Sequence, residues 1–452
     1  MINDLIKYFE DKKILILGFG MEGKSTYKLI RQYMPNKKIY IADKKENLKS
    51  DCELIKNDIN IEINEGNKYL DGLENYDIIM KSPGVSLKDI DISNIKEKIK
   101  SQLELLLEFF NIYSIGITGT KGKSTTSSLI YKVLKDQGKD VLLLGNIGTP
   151  VFDWIDKIND NMYLVLEMSS HQLEYMDLSP NISIFLNVFE EHLDHYKSLD
   201  SYIEAKCNIF THQKAKDYYI YNAEIEAIND KNHKYNTEAE KFAITLNNKE
   251  CIENNIVSYK NNKIYINDKE MYDANNKRKL LGIHNLNNIM FVLTVSKILN
   301  LDLDKTIDTI NNFEALPHRI EYVGEYNDII FYNDSIATIP ESTINSIEAL
   351  KDVNTLIIGG LDRGIDYNKF IKYLNDSNIE NIICLPTTGH KIGKEISNAN
   401  VFTVDNLEEA VKIAKKSTKK HSICLLSPAA ASYGFFKNFE ERGNKFKLLV
   451  KQ

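Results

Sequence analysis

The stretch Ile115-Gly-Ile-Thr-Gly-Thr-Lys-Gly-Lys-Ser-Thr-Thr126 constrains the fold of this chain more than any other. Its apolar start, Ile115 and Ile117, predicts a buried strand, and the glycines at 116, 119 and 122 predict a loop after it. A helix is expected from Ser124, with Leu129, Ile130, Val133 and Leu134 on one face and Gly138 as its stop. Strand, glycine loop, Lys-Ser and helix together make a cradle for a polyphosphate. Backbone N–H groups would surround the phosphate oxygens, Lys123 would add a point charge, and Ser124 would reach Mg²⁺. The strict Walker spacing puts glycine at 117, where this chain has isoleucine, so the loop is of a shorter type. A glycine-rich turn with a surface lysine is the plainer alternative, and it leaves the flanking strand and helix unexplained.

With 452 residues the chain has room for about three domains. In the first hundred, a strand from Lys13 runs into Gly18-x-Gly20-x-x-Gly23, which opens a helix through about Arg31. A second strand, Lys38 to Ala42, ends at Asp43, where a carboxylate can meet a ribose. This pattern indicates a nucleotide or diphosphate without choosing between NAD and a UDP-sugar. The strand Asp77 to Met80 leads into Lys81-Ser82-Pro83-Gly84, either a plain turn or a ligand contact at the sheet edge. Lys96 to about Asn111 is expected to be one amphipathic helix.

Beyond the phosphate loop, strands are expected at Val141–Leu144, Tyr163–Leu166 and Ile182–Leu186. The first closes on Gly145-Asn146, the second on Glu167, and the third on Asn187 and, further along, His192. A carboxylate at such a strand end can hold Mg²⁺ directly or through water, so Glu167 is a candidate ligand. His192 alone would be an ordinary loop histidine, but converging strand ends make it a candidate too. Lys206, in a helix from Ser201 to Phe210, reads by default as a solvated lysine. Ile256–Tyr259 and Ile264–Ile266 predict a hairpin without assigned function. Asn285 and Asn288 share one helical face, where they either cap or bind. From about Pro317, strands near 329–332, 355–358, 381–384, 401–404 and 422–426 alternate with helices, predicting another mostly parallel α/β sheet.

A net charge of −7 and the absence of any Lys/Arg block argue against nucleic-acid binding. Five scattered cysteines without a CxxC pair fit a reducing compartment and no structural zinc. No signal peptide and no apolar run of transmembrane length is present, so a cytoplasmic protein without membrane insertion is expected, as a monomer.

Gly119–Thr125, Glu167 with Ser169-Ser170, Asn187…His192-Leu-Asp and Glu204-Ala-Lys206 resemble the Mur ligases, ATP-dependent amide ligases that build the peptide stem of peptidoglycan. The resemblance covers the whole chain and implies three domains: a Rossmann-like UDP-substrate domain (1–103), a central P-loop ATPase domain (104–315) and a C-terminal Rossmann-like domain (316–452). It implies addition of D-glutamate to UDP-N-acetylmuramoyl-L-alanine through an acyl phosphate. By the same resemblance, Gly18, Gly20, Gly23, Asp43, Ser82, Gly84, Asn146 and Gln172 hold the UDP substrate. The loop residues Gly119, Thr120, Lys121, Gly122, Lys123, Ser124 and Thr125 hold ATP together with Asn285, Asn288, Arg319 and Asp334. Ser124 and Glu167 would serve a first Mg²⁺, and His192 with a CO₂-derived carbamate on Lys206 a second, so that Lys123, His192 and Lys206 act in catalysis. Thr338, Arg363, Ser432 and the Phe439 backbone would meet the glutamate carboxylates.

Several positions depart from the family pattern. Glu191 stands where aspartate is usual, and Ile336 where lysine is usual near the amino acid. Together with Glu22 and Ile339-Pro340, Ile336 resembles a branch thought to add L-glutamate, so both stereochemistries stay open. A folate-glutamate ligase would not need the Gly18–Gly23 region. A nucleotide-gated binding protein that hydrolyses ATP without ligation would release phosphate without requiring both UDP-N-acetylmuramoyl-L-alanine and glutamate, and a nicotinamide dehydrogenase would leave the phosphate loop and the His192 region unexplained.

Overall fold

The computed structural model describes residues 2–145, 150–189, 191, 195–235, 237–247, 249, 251–314 and 316–452. Two compact units divide the chain: residues 1–276 with 287–310, and residues 277–286 with 311–452. No helix among the described residues is long and apolar enough to cross a membrane.

The first unit carries two sheets. One comprises β1 (Ile14–Leu17), β2 (Ile39–Asp43), β3 (Ile61–Glu65), β4 (Ile78–Lys81) and β5 (Ile99–Lys100), all parallel, in the order β3-β2-β1-β4-β5. Every residue of β1 is buried, as an Ile/Leu run covered on both faces should be. The order reverses between β1 and β4, which brings the Gly18 loop beside Ser82.

The second sheet comprises β6 (Tyr113–Thr118), β7 (Val141–Gly145), β8 (Tyr163–Glu167), β9 (Ile182–Phe185), β10 (Tyr218–Asn222), β11 (Glu240–Thr245), β12 (Asn255–Lys260), β13 (Lys263–Ile266) and β14 (Lys269–Asp273). Its order, β14-β13-β12-β11-β10-β9-β6-β8-β7, sets β6 between β9 and β8. The loops after these three parallel strands therefore open at one edge. The expected hairpin is β12–β13, turned by Asn261 and Asn262, both at positive φ. Asn267 and Asp268 turn it again into β14, a strand that the composition does not announce because the turn lacks glycine.

The helix expected over Lys96–Asn111 needs correction. Ile99 and Lys100 pair with β4, and the α-helix covers only Gln102–Phe109, capped by Ser101, whose hydroxyl accepts the Glu104 N–H at 3.0 Å. Ile99 is buried against the first sheet, and that packing outweighs the local helical pattern.

The second unit contains β15 (Glu321–Tyr326), β16 (Ile329–Asn333), β17 (Val353–Ile358), β18 (Asn381–Cys384), β19 (Asn400–Thr403) and β20 (Ile423–Leu426), ordered β15-β16-β20-β17-β18-β19. Only β15 is antiparallel, which matches the expectation of a mostly parallel α/β sheet. Apolar clusters around Phe331, Leu426 and Phe446, and around Leu356, Ile358 and Phe370, cover its two faces. Each such buried side chain contributes about 1.5–3 kcal/mol.

Candidate functional site

The helix after β6 runs from Lys123 to Asp136, with Gly122 preceding it at φ +84°. A Cβ at Gly122 would lie 2.8 Å from Asn288 Oδ1, and one at Gly119 would lie 3.0 Å from Leu186 Cβ, so neither position accepts a side chain. Asn288 is thereby located against the phosphate loop. The loop is braced by Asn187 at the end of β9. Its Oδ1 accepts the N–H groups of Thr120 (3.1 Å) and Lys121 (2.9 Å), and its Nδ2 donates to the Lys121 carbonyl at 3.0 Å. The Thr120 hydroxyl is 3.0 Å from Tyr202 OH and accepts the Phe189 N–H at 2.9 Å.

Lys123 Nζ donates to the carbonyls of Gly119 (2.8 Å) and Thr120 (3.1 Å), which places the ammonium inside the curve of the loop. Lys121 reaches out instead and pairs with Glu191 at 2.8 Å. Ser124 sits in the first helical turn. Glu167, 1 % exposed, ends β8 directly beside Ile117 of β6. A hydroxyl in the first helical turn after β6 and a buried carboxylate at the end of the adjoining β8 are the hard oxygen donors that Mg²⁺ takes, so these residues fit the ion.

Lys206 overturns its default reading as a solvated lysine. It is 2 % exposed, donates to the Gly119 carbonyl at 3.2 Å, and lies 4.7 Å from the centre of the Tyr202 ring. Burial, with the Lys123 ammonium nearby, holds its amine far below the usual lysine value, partly offset by Glu191. Asn146 and His192 lie outside the described residues.

Over the first sheet a cavity of about 490 Å³ is lined by Gly18, Gly20, Glu22, Asp43, Ser82, Gly84 and Gln172, among others. Six of these seven, all but Glu22, were expected to meet the UDP substrate; Gln172 is the one that comes from the second sheet's side. Ser82 Oγ donates to the Gly18 carbonyl at 2.6 Å, so the hydroxyl braces the glycine loop. Asp43 accepts the N–H groups of Phe19 (2.6 Å) and Lys45 (2.7 Å). Gly23 packs so tightly that a Cβ there would stand 2.1 Å from the Gly18 oxygen. Gln172 closes a capping box with Ser169 and donates from Nε2 to Glu22 Oε1 at 2.9 Å.

In the second unit the ends of β16, β20 and β17 converge. Leu361 pairs with Ala431, and Gly359 N–H donates to the Pro428 carbonyl at 2.8 Å. Arg442, 1 % exposed, ties these loops together. Its guanidinium donates to Ser335 Oγ (3.0 Å), the Ser335 carbonyl (2.8 Å) and the Ala430 carbonyl (3.2 Å). Ser335 in turn donates to the Phe439 carbonyl at 2.8 Å. Thr338, Ser432, Phe439 and Arg363 therefore belong to one edge of this sheet, and Arg363 is exposed there. Asp334 is buried and braced by Ser346 Oγ (2.6 Å), Ser427 Oγ (2.7 Å) and the Ile320 N–H (3.2 Å), and burial raises its carboxyl to about 6. Asn285 Nδ2 donates to the Leu281 carbonyl at 2.6 Å, just ahead of the helix Ile283–Ile298, and Arg319 is half-buried. Neither Asn187 nor Arg442 has a role legible in the sequence; only their distant partners reveal one.

Comparison with known proteins adds a second line. A family model described as "Mur ligase middle domain" matches residues 117–296, and one described as "Mur ligase, glutamate ligase domain" matches 318–430. A UDP-N-acetylmuramoylalanine–D-glutamate ligase of Acetivibrio thermocellus is 34% identical, covering 99% of this chain and 98% of its own length. An enzyme of the same name from Clostridium botulinum is 34% identical over 99% and 97%. Among solved structures, a UDP-N-acetylmuramate-alanine ligase of Thermotoga maritima superposes with a TM-score of 0.58 at 19% identity, covering 97% of this chain and 99% of that one. A MurF ligase from Thermotoga maritima in complex with ADP gives 0.59 at 16% identity, covering 99% and 96%.

Proposed function

The chain belongs to the Mur ligase family, and we propose that it joins glutamate to UDP-N-acetylmuramoyl-L-alanine while ATP is converted to ADP and phosphate. Mur ligases are ATP-dependent and use Mg²⁺. The observation that carries the reading is the meeting of the phosphate loop, Glu167 and the buried Lys206 at the adjoining ends of β6, β8 and β9. We assign UDP-substrate binding to residues 1–103, ATP chemistry to 104–315, and amino-acid and further ATP contacts to 316–452. The reaction belongs to cytoplasmic synthesis of peptidoglycan precursors and is carried out by a monomer.

The terminal alanine carboxylate attacks the γ-phosphorus of ATP and ADP departs, leaving an acyl phosphate. The glutamate amine then attacks the acyl carbon, loses a proton, and phosphate leaves as the amide forms. No covalent enzyme intermediate is needed, so the protein positions reactants and offsets charge. Loop N–H groups and Lys123 take the phosphate oxygens. Mg²⁺ held by Ser124 and Glu167 would neutralise charge that otherwise keeps two anions apart. Lys206 would carry a carbamate: burial favours its uncharged amine, which would add to CO₂ with loss of a proton and supply an anionic oxygen ligand. In the second unit, Arg363, Thr338, Ser432 and Phe439 are assigned to the amino acid.

D-glutamate is the expected amino acid. Ile336 favours a second reading, because it removes a cation from this edge and leaves Arg363 as the charged group of the assigned set. Phosphate release with ATP, Mg²⁺ and UDP-N-acetylmuramoyl-L-alanine, run separately with D- and L-glutamate, tests both. Release with neither isomer would reject the ligase reading; release with L alone would reassign the stereochemistry and keep the mechanism.

A further inference from the structure

Glu22 lines the cavity over the first sheet, yet neither ATP chemistry nor glutamate binding uses it. It is the second residue of the helix Met21–Tyr33, the turn where a diphosphate would be favoured. A carboxylate there repels a phosphate, so its retention needs another partner. The surroundings hold it firmly. Gln102 Nε2 donates to the Glu22 carbonyl and to Thr26 Oγ1, both at 2.9 Å, while Gln102 Oε1 accepts the Phe152 N–H at 3.1 Å.

The side chain is equally fixed. Gln172 Oε1 is committed to Ser169, accepting its N–H and hydroxyl at 3.1 Å, so Nε2 must face Glu22, which it meets at 2.9 Å. Lys81, 6 % exposed, lies within electrostatic reach of Glu22 and stands 3.5 Å from Glu174 Oε2. One buried ammonium thus serves two carboxylates. The result is an oriented acceptor inside the cavity with a buried cation within electrostatic reach.

Building on the proposed acceptor, we propose that Glu22 is a specificity-determining residue that accepts a hydrogen bond from an N–H or O–H of the acylated amino-sugar half of the substrate. The diphosphate gains nothing from it, since it brings its own negative charge to the same turn. Glu22 therefore selects the complete sugar–alanine acceptor over the bare nucleotide.

Calorimetric titration of wild type, Glu22→Ala and Glu22→Gln with UDP and with UDP-N-acetylmuramoyl-L-alanine tests this. Glu22→Ala should weaken the complete acceptor about tenfold or more, as for loss of a charge-assisted hydrogen bond, and leave UDP as tightly bound or tighter, because a carboxylate beside the diphosphate is removed. Glu22→Gln keeps an acceptor oxygen and should recover most of the loss. Equal weakening of both ligands, no change, or tighter binding of the complete acceptor by the alanine variant would overturn the assignment. Wild-type protein that binds neither ligand would instead overturn the acceptor reading on which it rests.

Discussion

Lys206 donates a hydrogen bond to the carbonyl of Gly119 across 87 positions of sequence, with its amine shut away from water. A helix of the central sheet thereby reports directly to the phosphate loop.

Lys206→Ala is expected to lower phosphate release about a hundredfold or more, the scale of losing a main charge-stabilising group. Binding of UDP-N-acetylmuramoyl-L-alanine should persist, because the first sheet's cavity does not include Lys206. Steady-state phosphate release alongside calorimetry separates the two, and undiminished turnover would end the carbamate assignment.

Asn187→Ala leaves the Lys121 N–H without its side-chain acceptor and loosens the loop around it. A cost of about 1–3 kcal/mol in urea unfolding is expected, with a raised KM for ATP.

Arg442→Met removes a buried fork that satisfies Ser335 and Ala430 together. Unpaired neutral acceptors remain, so a loss of about 1–3 kcal/mol for each one left buried is expected. Arg442→Lys should not restore it, since one ammonium cannot span the same acceptors. Denaturant midpoints and the KM for glutamate check both variants.

Burial raises the Asp334 carboxyl from 3.8 to about 6. The folded chain therefore holds a proton that the unfolded chain has already released between these values, and stability falls as pH rises through this window. The full change is about 3 kcal/mol. Asp334→Asn carries no titrating group, so its stability deficit relative to wild type should shrink from pH 4.5 to pH 7 in urea melts; a constant deficit would refute the raised carboxyl.

Gly23→Ala would press a methyl group to within 2.1 Å of the Gly18 oxygen. Strain of about 1–3 kcal/mol and weaker UDP binding are expected, with ATP binding unchanged. Titration with each nucleotide distinguishes the two outcomes.

Glycine spacing and strand periodicity make the phosphate loop and the Gly18–Gly23 loop legible without coordinates, because each motif is contiguous and its geometry local. Most strands of the three sheets are legible for the same reason. The pattern over Lys96–Asn111 misleads, since Ile99 obtains more from packing beside β4 than from continuing a helix. The turns Asn267-Asp268 and Asn327-Asp328 escape notice because asparagine and aspartate supply the positive φ normally ascribed to glycine.

The residue order by itself determined the alternation of strands and helices, the phosphate cradle, and the chemistry that Lys123, Ser124 and Glu167 can supply. Tertiary structure alone decided that Lys206 is buried rather than solvated, that Asn187 braces the loop, and that Arg442 joins the loops after β16 and β20. Hydrogen bonds and burial depend on which distant segments meet, and the partners of Lys206, Asn187 and Arg442 lie 87, 66 and 107 positions away.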